Sequence, residues 1–459
     1  MKLKRIMIAA PGSGSGKTTI TCALLQILAE TGQRVCAYKC GPDYIDPMFH
    51  RTVIGVPSKN LDTFFTGEER TKGLFLKERT EQDFAVLEGV MGLFDGLGGT
   101  REEGSAYHLA KVTKTPVLFV VDAKGMGRSV LPLIAGFLAY DTEHLIQGVI
   151  LNRVSKFYYE IIKSLIEEEL KIAVVGYVPN EKNLHIESRH LGLLLPDEIS
   201  GLRERLGEAA KQLKASVSME QILRIAESAE ELELPESLQQ EEAEKTAGKS
   251  PEPVLAVAKD EAFCFYYEDN LRLMSEYGVK IRYFSPLHDT SLPEGTAGIL
   301  IGGGYPEFHL KELAANEKIH TEILTAFRQG MPFLAECGGF MYLHSAIVDQ
   351  EGTRYPMVGV LPGECFGTGR LVRFGYIEIR EKKSLFLPKG EIIRGHEFHY
   401  FDSTDNGADC VARKPVTGRE YSCIMEGENY CIGFPHLYYP SNPEFVKRWA
   451  KKMRKYQAV

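Results

Sequence analysis

Short apolar runs alternate with longer stretches of mixed polarity through the first half of the chain. The apolar runs predict buried β-strands, and the stretches between them predict helices. Strands that alternate with helices indicate an α/β domain with a mostly parallel, doubly wound sheet. The predicted strands are Lys4–Ala10, Val35–Lys39, Phe84–Glu88, Val117–Asp122, Gln147–Asn152 and Val174–Val178, and the predicted helices are Thr18–Glu30 and Leu202–Glu233.

The same alternation restarts after a charged segment, residues 236–252, which is rich in Glu, Gln and Lys and has almost no large apolar residues. That composition is typical of an exposed linker, although its central part also fits a charged surface helix. We therefore predict one domain over residues 1–235 and a second α/β domain over residues 253–459. Its predicted elements are strands at Val254–Ala258, Lys280–Phe284, Gly298–Ile301 and Pro332–Ala335 and a helix at Tyr266–Tyr277.

Composition narrows the class of protein. The chain has 459 residues, more than one ordinary domain, and a net charge of −8. An acidic chain argues against a large nucleic-acid surface, and no apolar run approaches the roughly 20 residues that span a bilayer. Nine cysteines without a CxxC pair indicate free thiols in a reducing compartment. We expect a cytoplasmic protein with no nucleic-acid or membrane partner.

A glycine-rich segment, Pro11–Thr19, follows the first predicted strand and leads into the first predicted helix. This is the context of a phosphate-binding loop, whose glycines let backbone N–H groups surround phosphate oxygens. Its lysine would contact the β- and γ-phosphates of ATP, and the threonine hydroxyl after it would bind Mg²⁺. The segment begins with proline where the motif has glycine, so a chance Gly/Ser-rich loop is the alternative. The predicted ATP-binding residues are Gly14, Gly16, Lys17, Thr18 and Thr19.

Two carboxylates lie in the segment Glu88–Gly96. Glu88 ends an apolar strand, and the carboxyl ends of strands in an open α/β sheet face the crevice where ligands bind. Because Mg²⁺ prefers oxygen ligands, Glu88 is a candidate metal ligand. Asp95 could contribute to the same site, but it fits equally well as a turn or cap residue before Gly96.

A second unusual segment, Lys39–His50, follows the second predicted strand and contains two prolines. It places Asp43, Tyr44, Asp46 and His50 on one predicted loop. Proline restricts the backbone, which suits a preorganised binding loop. Plain turn chemistry is the alternative, since Asp and Pro are common in turns. We favour binding because the segment follows a strand beside the phosphate loop.

The segment Phe333–Phe340 combines a short apolar run, one cysteine and two glycines. Such a strand-to-helix elbow would expose the sulfur of Cys337 as a nucleophile, and the next residue could offer its N–H group to an oxyanion. The predicted oxyanion donors are the N–H groups of Gly338 and of Gly303 or Gly304. The alternative for Cys337, a buried structural thiol, fits the flanking glycines less well.

A thiol nucleophile needs a histidine to move protons. His436 follows the strand-like run Tyr430–Phe434 and is the predicted base. His396 and His399 compete for that role. Their spacing is not that of a zinc motif on a helix, and on a strand it would put them on opposite faces.

These four segments occur in the order seen in cobyrinic acid a,c-diamide synthases, which the chain resembles over nearly its whole length. The resembling segments are the phosphate loop, Gly41–His50, Glu88–Gly96 and the cysteine elbow. The resemblance implies an N-terminal ATP-dependent amidoligase domain similar to dethiobiotin synthetase and a C-terminal class I glutamine amidotransferase domain. It also implies ATP with Mg²⁺, glutamine and a tetrapyrrole as the small molecules involved. A homodimer is one possible assembly of the chain.

Residue roles also follow from the resemblance. Asp43, Glu88 and Asp95 would serve ATP, the metal or an acyl-phosphate intermediate. Tyr44 and Ile45 would face the tetrapyrrole and help to choose the carboxylate that reacts.

Two further positions have alternative interpretations. Asn152 resembles the base-binding Asn of dethiobiotin-synthetase-like folds, with a strand-end cap as the alternative. Class I amidotransferases carry a glutamate two residues after the catalytic histidine, and this chain has Tyr438 there. The histidine therefore either has another orienting group or works with the cysteine alone.

The function that the resemblance implies is amidation of the a and c acetate groups of cobyrinate. Because ammonia is protonated and dilute in neutral water, we also predict a shielded path for it between the domains. Hydrogenobyrinate and nickel-sirohydrochlorin are alternative substrates for the same chemistry, and cobyric acid synthesis is a more distant one. An alternative of another class is a regulatory P-loop ATPase with an inactive amidotransferase-like domain.

Overall fold

The computed structural model describes residues 3–77, 81–180, 188–189, 192–193, 201–234 and 252–458. The chain divides into two compact units, Met1–Gln240 and Glu241–Val459. The predicted linker, residues 236–252, lies almost entirely outside the described residues, so its bounds stay a prediction.

The first unit is built on a seven-stranded sheet in the order β3-β2-β4-β1-β5-β6-β7, and all its strand pairs are parallel. The predicted doubly wound sheet is therefore confirmed. Residues on β1 alternate between two apolar clusters, since Met7 belongs to one and Ile6 and Ile8 to the other. Both faces are thus covered, as in other parallel sheets. The strands are β1 (Lys4–Ala9), β2 (Val35–Cys40), β3 (Ser58–Leu61), β4 (Phe84–Glu88), β5 (Val117–Asp122), β6 (Ile146–Asn152) and β7 (Val174–Val178), with a separate short pair β8 (Ser188–Arg189) and β9 (Gly192–Leu193).

Helices connect these strands. The sheet order sets the carboxyl ends of β2, β4 and β1 side by side, so the segments that follow them meet at one edge of the sheet. The helices are α1 (Lys17–Glu30), α2 (Ile45–Phe49), a π-helical turn (His50–Ile54), α3 (Thr63–Leu76), a 3₁₀ turn (Leu97–Gly99), α4 (Ala106–Val112), α5 (Val130–Tyr140), α6 (Lys156–Leu170), α7 (Leu202–Ser216) and α8 (Met219–Ser228).

Two predictions about the first unit are wrong. The single predicted helix Leu202–Glu233 is two helices, because Val217 is extended and the Ser218 side chain caps the second helix by accepting from the Gln221 N–H group. The helix also ends at Ser228 rather than at Glu233. The second error concerns the predicted loop with Asp46 and His50, which is helical in α2 and the π-helical turn that follows it.

The second unit contains a six-stranded sheet in the order β12-β10-β13-β15-β25-β24. Its pairs are parallel except at the β24 edge, which pairs antiparallel with β25. Apolar clusters cover this sheet as well, so the predicted second α/β domain is confirmed. Its strands are β10 (Val254–Ala258), β12 (Lys280–Phe284), β13 (Thr296–Ile301), β15 (Phe333–Glu336), β24 (Met425–Gly427) and β25 (Tyr430–Gly433).

Smaller sheets complete the second unit. A five-stranded sheet has the order β23-β22-β19-β20-β26, a four-stranded sheet has the order β17-β16-β18-β21, and β11 pairs with β14. These strands are β11 (Phe263–Phe265), β14 (Gly303–Gly304), β16 (His344–Val348), β17 (Arg354–Pro356), β18 (Leu361–Gly367), β19 (Arg373–Glu381), β20 (Ile392–His399), β21 (Phe401–Ser403), β22 (Cys410–Arg413), β23 (Glu420–Cys423) and β26 (His436–Leu437).

Five α-helices lie among the described residues of the second unit, and one of them starts directly after the predicted nucleophile. Throughout the described residues of the chain, no helix is both long enough and apolar enough to cross a membrane. The helices are α9 (Glu268–Glu276), α10 (Leu310–Ala315), α11 (Glu317–Arg328), α12 (Gly338–Leu343) and α13 (Glu444–Gln457), with 3₁₀ turns at Pro306–Phe308 and Tyr439–Ser441.

Candidate active sites

The phosphate loop lies between β1 and α1, where its backbone leads into the N-terminus of the helix. Gly16 has a φ of 94°, and a Cβ atom added there would lie 2.3 Å from the Asn152 amide nitrogen. Only glycine meets both conditions. The Asn152 side chain donates to the Ser15 carbonyl at 2.8 Å. The structure thus brings Asn152 from the end of β6 onto the loop, where it supports the loop's backbone.

Lys17 is the first residue of α1, and its side chain folds back over the loop. Its Nζ donates to the Gly12 carbonyl at 3.0 Å and to the Met91 carbonyl at 2.6 Å. Burial, and next the charge of Lys39, lower the pKa of Lys17 to about 8. The ammonium group therefore loses its proton more easily than an exposed lysine would.

Thr18 and Glu88 meet at the sheet edge as the sequence predicts. The Thr18 hydroxyl donates to Glu88 Oε1 at 2.6 Å. The other oxygen, Oε2, is buried and has no hydrogen-bond partner among the described residues. An unshared carboxylate oxygen beside a threonine hydroxyl fits the oxygen donor set that Mg²⁺ prefers. These two residues are therefore the pair that could hold the metal.

A buried lysine that the sequence analysis did not single out organises this edge. Lys39 is 4% exposed, and its Nζ lies 2.9 Å from Glu88 Oε1 and 3.9 Å from an Asp43 oxygen, and also donates to Asp46. Burial opposes the charge on Lys39, but these carboxylates outweigh it and hold its pKa well above the usual value. A lysine inside an otherwise apolar strand was the available signal, because a buried ammonium group needs carboxylates around it.

His50 adds a neutral group to the cluster. Its Nδ1 lies 3.0 Å from the Ser58 hydroxyl, and its Nε2 lies 3.7 Å from Glu88 Oε2. Burial lowers the pKa of His50 to about 4, so the ring is uncharged at neutral pH. The cation that faces the carboxylates is therefore Lys39.

The other predicted residues of this site have local partners. One Asp43 oxygen accepts from the backbone N–H groups of Ile45 and Asp46, and burial raises the pKa of Asp43 to about 8. Asp95 accepts from the Gly92 N–H group at 2.8 Å and so forms the turn that the sequence analysis kept as an alternative. Ile45 is buried, whereas Tyr44 is half-buried.

The predicted metal ligands do not all converge. Within the part of the chain that the structure describes, no group of three or more His, Cys, Asp or Glu side chains could hold a metal ion by itself. The structure brings Thr18 into contact with Glu88. Asp43 lies near this pair only by way of Lys39, whose ammonium group is close to both carboxylates. A Mg²⁺ ion bound here would take further ligands from phosphate oxygens and water.

The second site is the elbow between β15 and α12. Cys337 has a φ of 48° and a ψ of −106°, which is an unfavourable backbone conformation for a residue with a side chain. Its N–H group donates to the Gly433 carbonyl at 2.9 Å. Gly339, two residues after the cysteine, tolerates no side chain, because a Cβ atom there would lie 2.1 Å from the Ile301 carbonyl oxygen. The chain thus turns sharply at the cysteine, as predicted for a nucleophile elbow.

The glycines named as oxyanion donors lie close to one another. A Cβ atom on Gly338 would come within 3.4 Å of the Gly304 nitrogen. The Gly338 N–H group also donates toward the Cys337 sulfur and lowers the pKa of the thiol. Burial is the larger effect, so the pKa of Cys337 is raised overall.

His436 lies beside these glycines and is buried. A Cβ atom on Gly303 would be 2.4 Å from its ring carbon Cε1, so the ring packs directly on that glycine. Burial lowers the pKa of His436 to about 3, and the imidazole is neutral. His396 pairs with His436 across β20 and β26, and the two rings stack at 4.9 Å between centroids.

The two units thus contain the parts of a glutamine-dependent ligase, with a nucleotide site on one unit and a thiol site on the other. Residues 6–193 match the family model of the CobQ/CobB/MinD/ParA nucleotide binding domain. Residues 254–430 match that of the CobB/CobQ-like glutamine amidotransferase domain. The class is therefore that of glutamine amidotransferase ligases.

Similarity to individual proteins extends over the whole chain. A cobyrinate a,c-diamide synthase of Caldanaerobacter subterraneus subsp. tengcongensis is 40% identical, covering 96% of this chain and 97% of the relative. Those of Dehalococcoides mccartyi and Salmonella typhimurium are 36% and 37% identical, and each match covers at least 98% of both chains. The chain belongs to the cobyrinate a,c-diamide synthase family.

Proposed function

We propose that this protein uses ATP and glutamine to convert the a and c acetate carboxylates of cobyrinate into amides, in cobalamin biosynthesis. The names of its relatives support the substrate and the product. The observation that carries the proposal is the joint presence, in one chain, of the Thr18–Glu88 pair at a phosphate loop and, in the second unit, of the strained Cys337 together with the buried His436 that packs on Gly303.

The first unit would activate the carboxylate. A substrate carboxylate oxygen attacks the γ-phosphorus of ATP, the bond to the β,γ-bridging oxygen breaks, and ADP leaves with an acyl phosphate formed. Gly14, Gly16 and Thr19 would contribute to the loop around the phosphates while Lys17 binds their oxygens. Thr18 and Glu88 would hold Mg²⁺, which neutralises phosphate charge when bound.

Lys39 gives this site a permanent cation besides Lys17, whose pKa of about 8 lets it lose its proton more easily. The Lys39 ammonium group is held among carboxylates at the sheet edge, so it stays protonated at neutral pH. We propose that Lys39 stabilises the negative charge that develops on the transferred phosphoryl group, because such charge is stabilised best by a fixed positive group in a site without water. Asp43 and Asp95 would complete the surroundings of the phosphates and metal.

The residues of α2 would meet the other substrate. Tyr44 is half-buried just before the helix, whereas Ile45 is buried within it. In our proposal Tyr44 touches the tetrapyrrole directly, and Ile45 sets the position of the segment. The two residues together would select which acetate group reacts.

The second unit would supply ammonia. Cys337 gives its proton to His436 as the sulfur attacks the side-chain amide carbon of glutamine, and N–H groups of Gly338 and of Gly303 or Gly304 stabilise the oxyanion. His436 returns the proton to the departing nitrogen, which leaves as ammonia, and water then hydrolyses the thioester to glutamate. Ammonia attacks the acyl phosphate, phosphate leaves, and the nitrogen loses a proton as the amide forms.

The test is amide formation on cobyrinate with ATP and glutamine, followed by mass detection. We expect two added amides with the wild type, none with Cys337→Ala and glutamine, and two again with Cys337→Ala and ammonia. Glutamine hydrolysis without product from cobyrinate would direct the search to hydrogenobyrinate or nickel-sirohydrochlorin. Absence of both activities would refute the proposal.

A further inference from the structure

The group that orients His436 is missing from its usual place in the sequence, and the inference here rests on the proposed roles of Cys337 and His436. Tyr438 occupies the position of the expected glutamate. Its hydroxyl donates to Asp269 at 3.2 Å. Tyr438 is therefore engaged with α9 and supplies no carboxylate.

Another carboxylate lies next to the ring. Glu336 is the last residue of β15, directly before Cys337, and it is 8% exposed. Its Oε2 lies 3.8 Å from His436 Nδ1. If Nε2 accepts the thiol proton, a hydrogen bond at Nδ1 is what would orient the imidazole.

The Glu336 carboxylate accepts hydrogen bonds from the chain segment that contains His436. Its Oε1 accepts from the Tyr439 hydroxyl at 3.0 Å, and it also accepts from the Leu437 N–H group. Hydrogen bonds from residues one and three positions after His436 fix the carboxylate relative to the ring. Such external support is what keeps a functional group within a fraction of an ångström of its working position.

The histidine that stacks on this ring is less suited to orient it. His396 lies parallel to His436, with 15° between the ring planes. A parallel ring touches the face of the imidazole, whereas a hydrogen bond from Nδ1 lies in the ring plane. The Nδ1 of His396 is 3.1 Å from the Tyr267 hydroxyl.

We propose that Glu336 is the positioning residue of the glutaminase site, and that its carboxylate accepts the Nδ1–H hydrogen bond of His436. This fixes the tautomer in which Nε2 can take the thiol proton of Cys337. It also stabilises the imidazolium that exists until the proton passes to ammonia. The carboxylate that would follow the histidine in a class I triad is thus replaced by one that precedes the nucleophile.

The electrostatics of the site agree with this assignment. Burial lowers the pKa of His436 to about 3, so an imidazolium is costly there unless an anion lies beside it. Burial also raises the pKa of Glu336 to about 8. The hydrogen bonds from Tyr439 and Leu437 oppose that shift and favour the charged carboxylate, which offsets the cost of the imidazolium while the thiol proton is on His436.

The experiment uses the full-length protein and four variants. Glu336→Gln keeps the shape but removes the charge, Glu336→Asp keeps the charge, and Tyr439→Phe removes one support of the carboxylate. Glu381→Gln is the matched control, because Glu381 is another buried carboxylate of this unit, 8% exposed, which accepts from backbone N–H groups at the Leu385–Leu387 turn. The readouts are kcat and KM for glutamine hydrolysis and the rate of ammonia-dependent amidation.

We expect Glu336→Gln to lower kcat for glutamine hydrolysis about 10²- to 10⁴-fold, as loss of an orienting carboxylate does in a triad. KM for glutamine and the ammonia-dependent rate should stay within about twofold, since neither uses the imidazolium. Glu336→Asp should recover part of the loss, Tyr439→Phe should lose about threefold to tenfold, and Glu381→Gln should hydrolyse glutamine at nearly the wild-type rate.

Two results would overturn the assignment. One is a Glu336→Gln variant with nearly wild-type kcat. The other is an equal loss of glutamine- and ammonia-dependent rates with no recovery in Glu336→Asp, which would indicate a purely structural role. Both differ from failure of the proposed function, in which the wild type hydrolyses no glutamine or Cys337→Ala still does so.

Discussion

The two sites handle charge in opposite ways. At the sheet edge of the first unit, Lys39 is held as a buried cation by the carboxylates Asp46 and Glu88. At the elbow of the second unit, burial holds both Cys337 and His436 in their neutral forms. A site for the polyanion ATP needs permanent charge, whereas a thiol site needs charge only while its proton is in transit. One chain can therefore contain both a charged and a neutral buried site, because each site is enclosed in its own unit.

Removing one chemical group from each site tests this difference most directly. Cys337→Ala should lower glutamine-dependent amidation by more than about 10³-fold and leave the ammonia-dependent reaction nearly intact, because the nucleophile is lost and the ATP site is not. Lys17→Ala should abolish amidation from either nitrogen source and still hydrolyse glutamine. Product and glutamate are measured separately for each variant. Loss of both activities in both variants would show that the sites do not work independently.

Removing the buried cation should have the next largest effect. Lys39→Met leaves three carboxylates without their common partner, and we expect about 3 kcal/mol less stability of the first unit toward urea. The double variant Lys39→Met/Asp46→Asn should recover part of the loss. Arg34→Met, which removes an exposed ion pair with Asp83, is the control and should hardly move the unfolding midpoint. An unchanged midpoint in Lys39→Met would mean that the cluster is not held together by charge.

The affinity for ATP should depend on pH through Lys17. The free protein has a pKa of about 8 at this residue, and the negative charge of bound phosphates would favour the protonated form. Below pH 8 the lysine is charged with or without ATP, so affinity is constant. Above pH 8 the free lysine loses its proton and must regain it on binding, so affinity falls by up to about tenfold per pH unit.

Calorimetry with a non-hydrolysable ATP analogue would measure this dependence together with the proton uptake. Lys17→Arg is the control, because arginine stays charged and its curve should remain flat over the same range. A flat wild-type curve, or the same slope in Lys17→Arg, would assign the titration to another group.

We expect the smallest effect at Asn152. A substitution there distinguishes support of the phosphate loop from recognition of the base. If its bond to the Ser15 carbonyl only supports the phosphate loop, Asn152→Ala should weaken ATP and GTP binding equally, by about fivefold, as expected for one hydrogen bond. If the side chain reads the base, the preference for ATP over GTP should collapse instead. Equilibrium binding of both nucleotides distinguishes these outcomes. An unchanged affinity for both nucleotides would remove Asn152 from the site.

Local signals in the sequence predicted most strands of the two main sheets but no strand of the smaller sheets in the second unit. The strands Phe84–Glu88 and Val174–Val178 are found with the predicted bounds, because an apolar run between polar segments marks a strand buried on both faces. The break at Ser218 was missed because the amphipathic pattern continues across it, and only the serine cap signals a new start.

The sites were predictable where their parts are contiguous in sequence. The phosphate loop and the elbow at Cys337 each lie within one short segment, so spacing alone identified them. Lys39 meets Glu88 because β2 and β4 align them in register, and Glu336 meets His436 because distant segments converge. Partnerships of this kind depend on tertiary structure and leave no periodic mark on the chain.

The backbone at Cys337 has a consequence for how this protein can change. A residue held at a φ of 48° and a ψ of −106° stores about 1–3 kcal/mol of conformational strain, which glycine at the same position would largely relieve. Selection for stability alone would therefore favour glycine at this position and remove the nucleophile. Persistence of cysteine at the elbow would then record continued demand for the reaction rather than any benefit to the architecture.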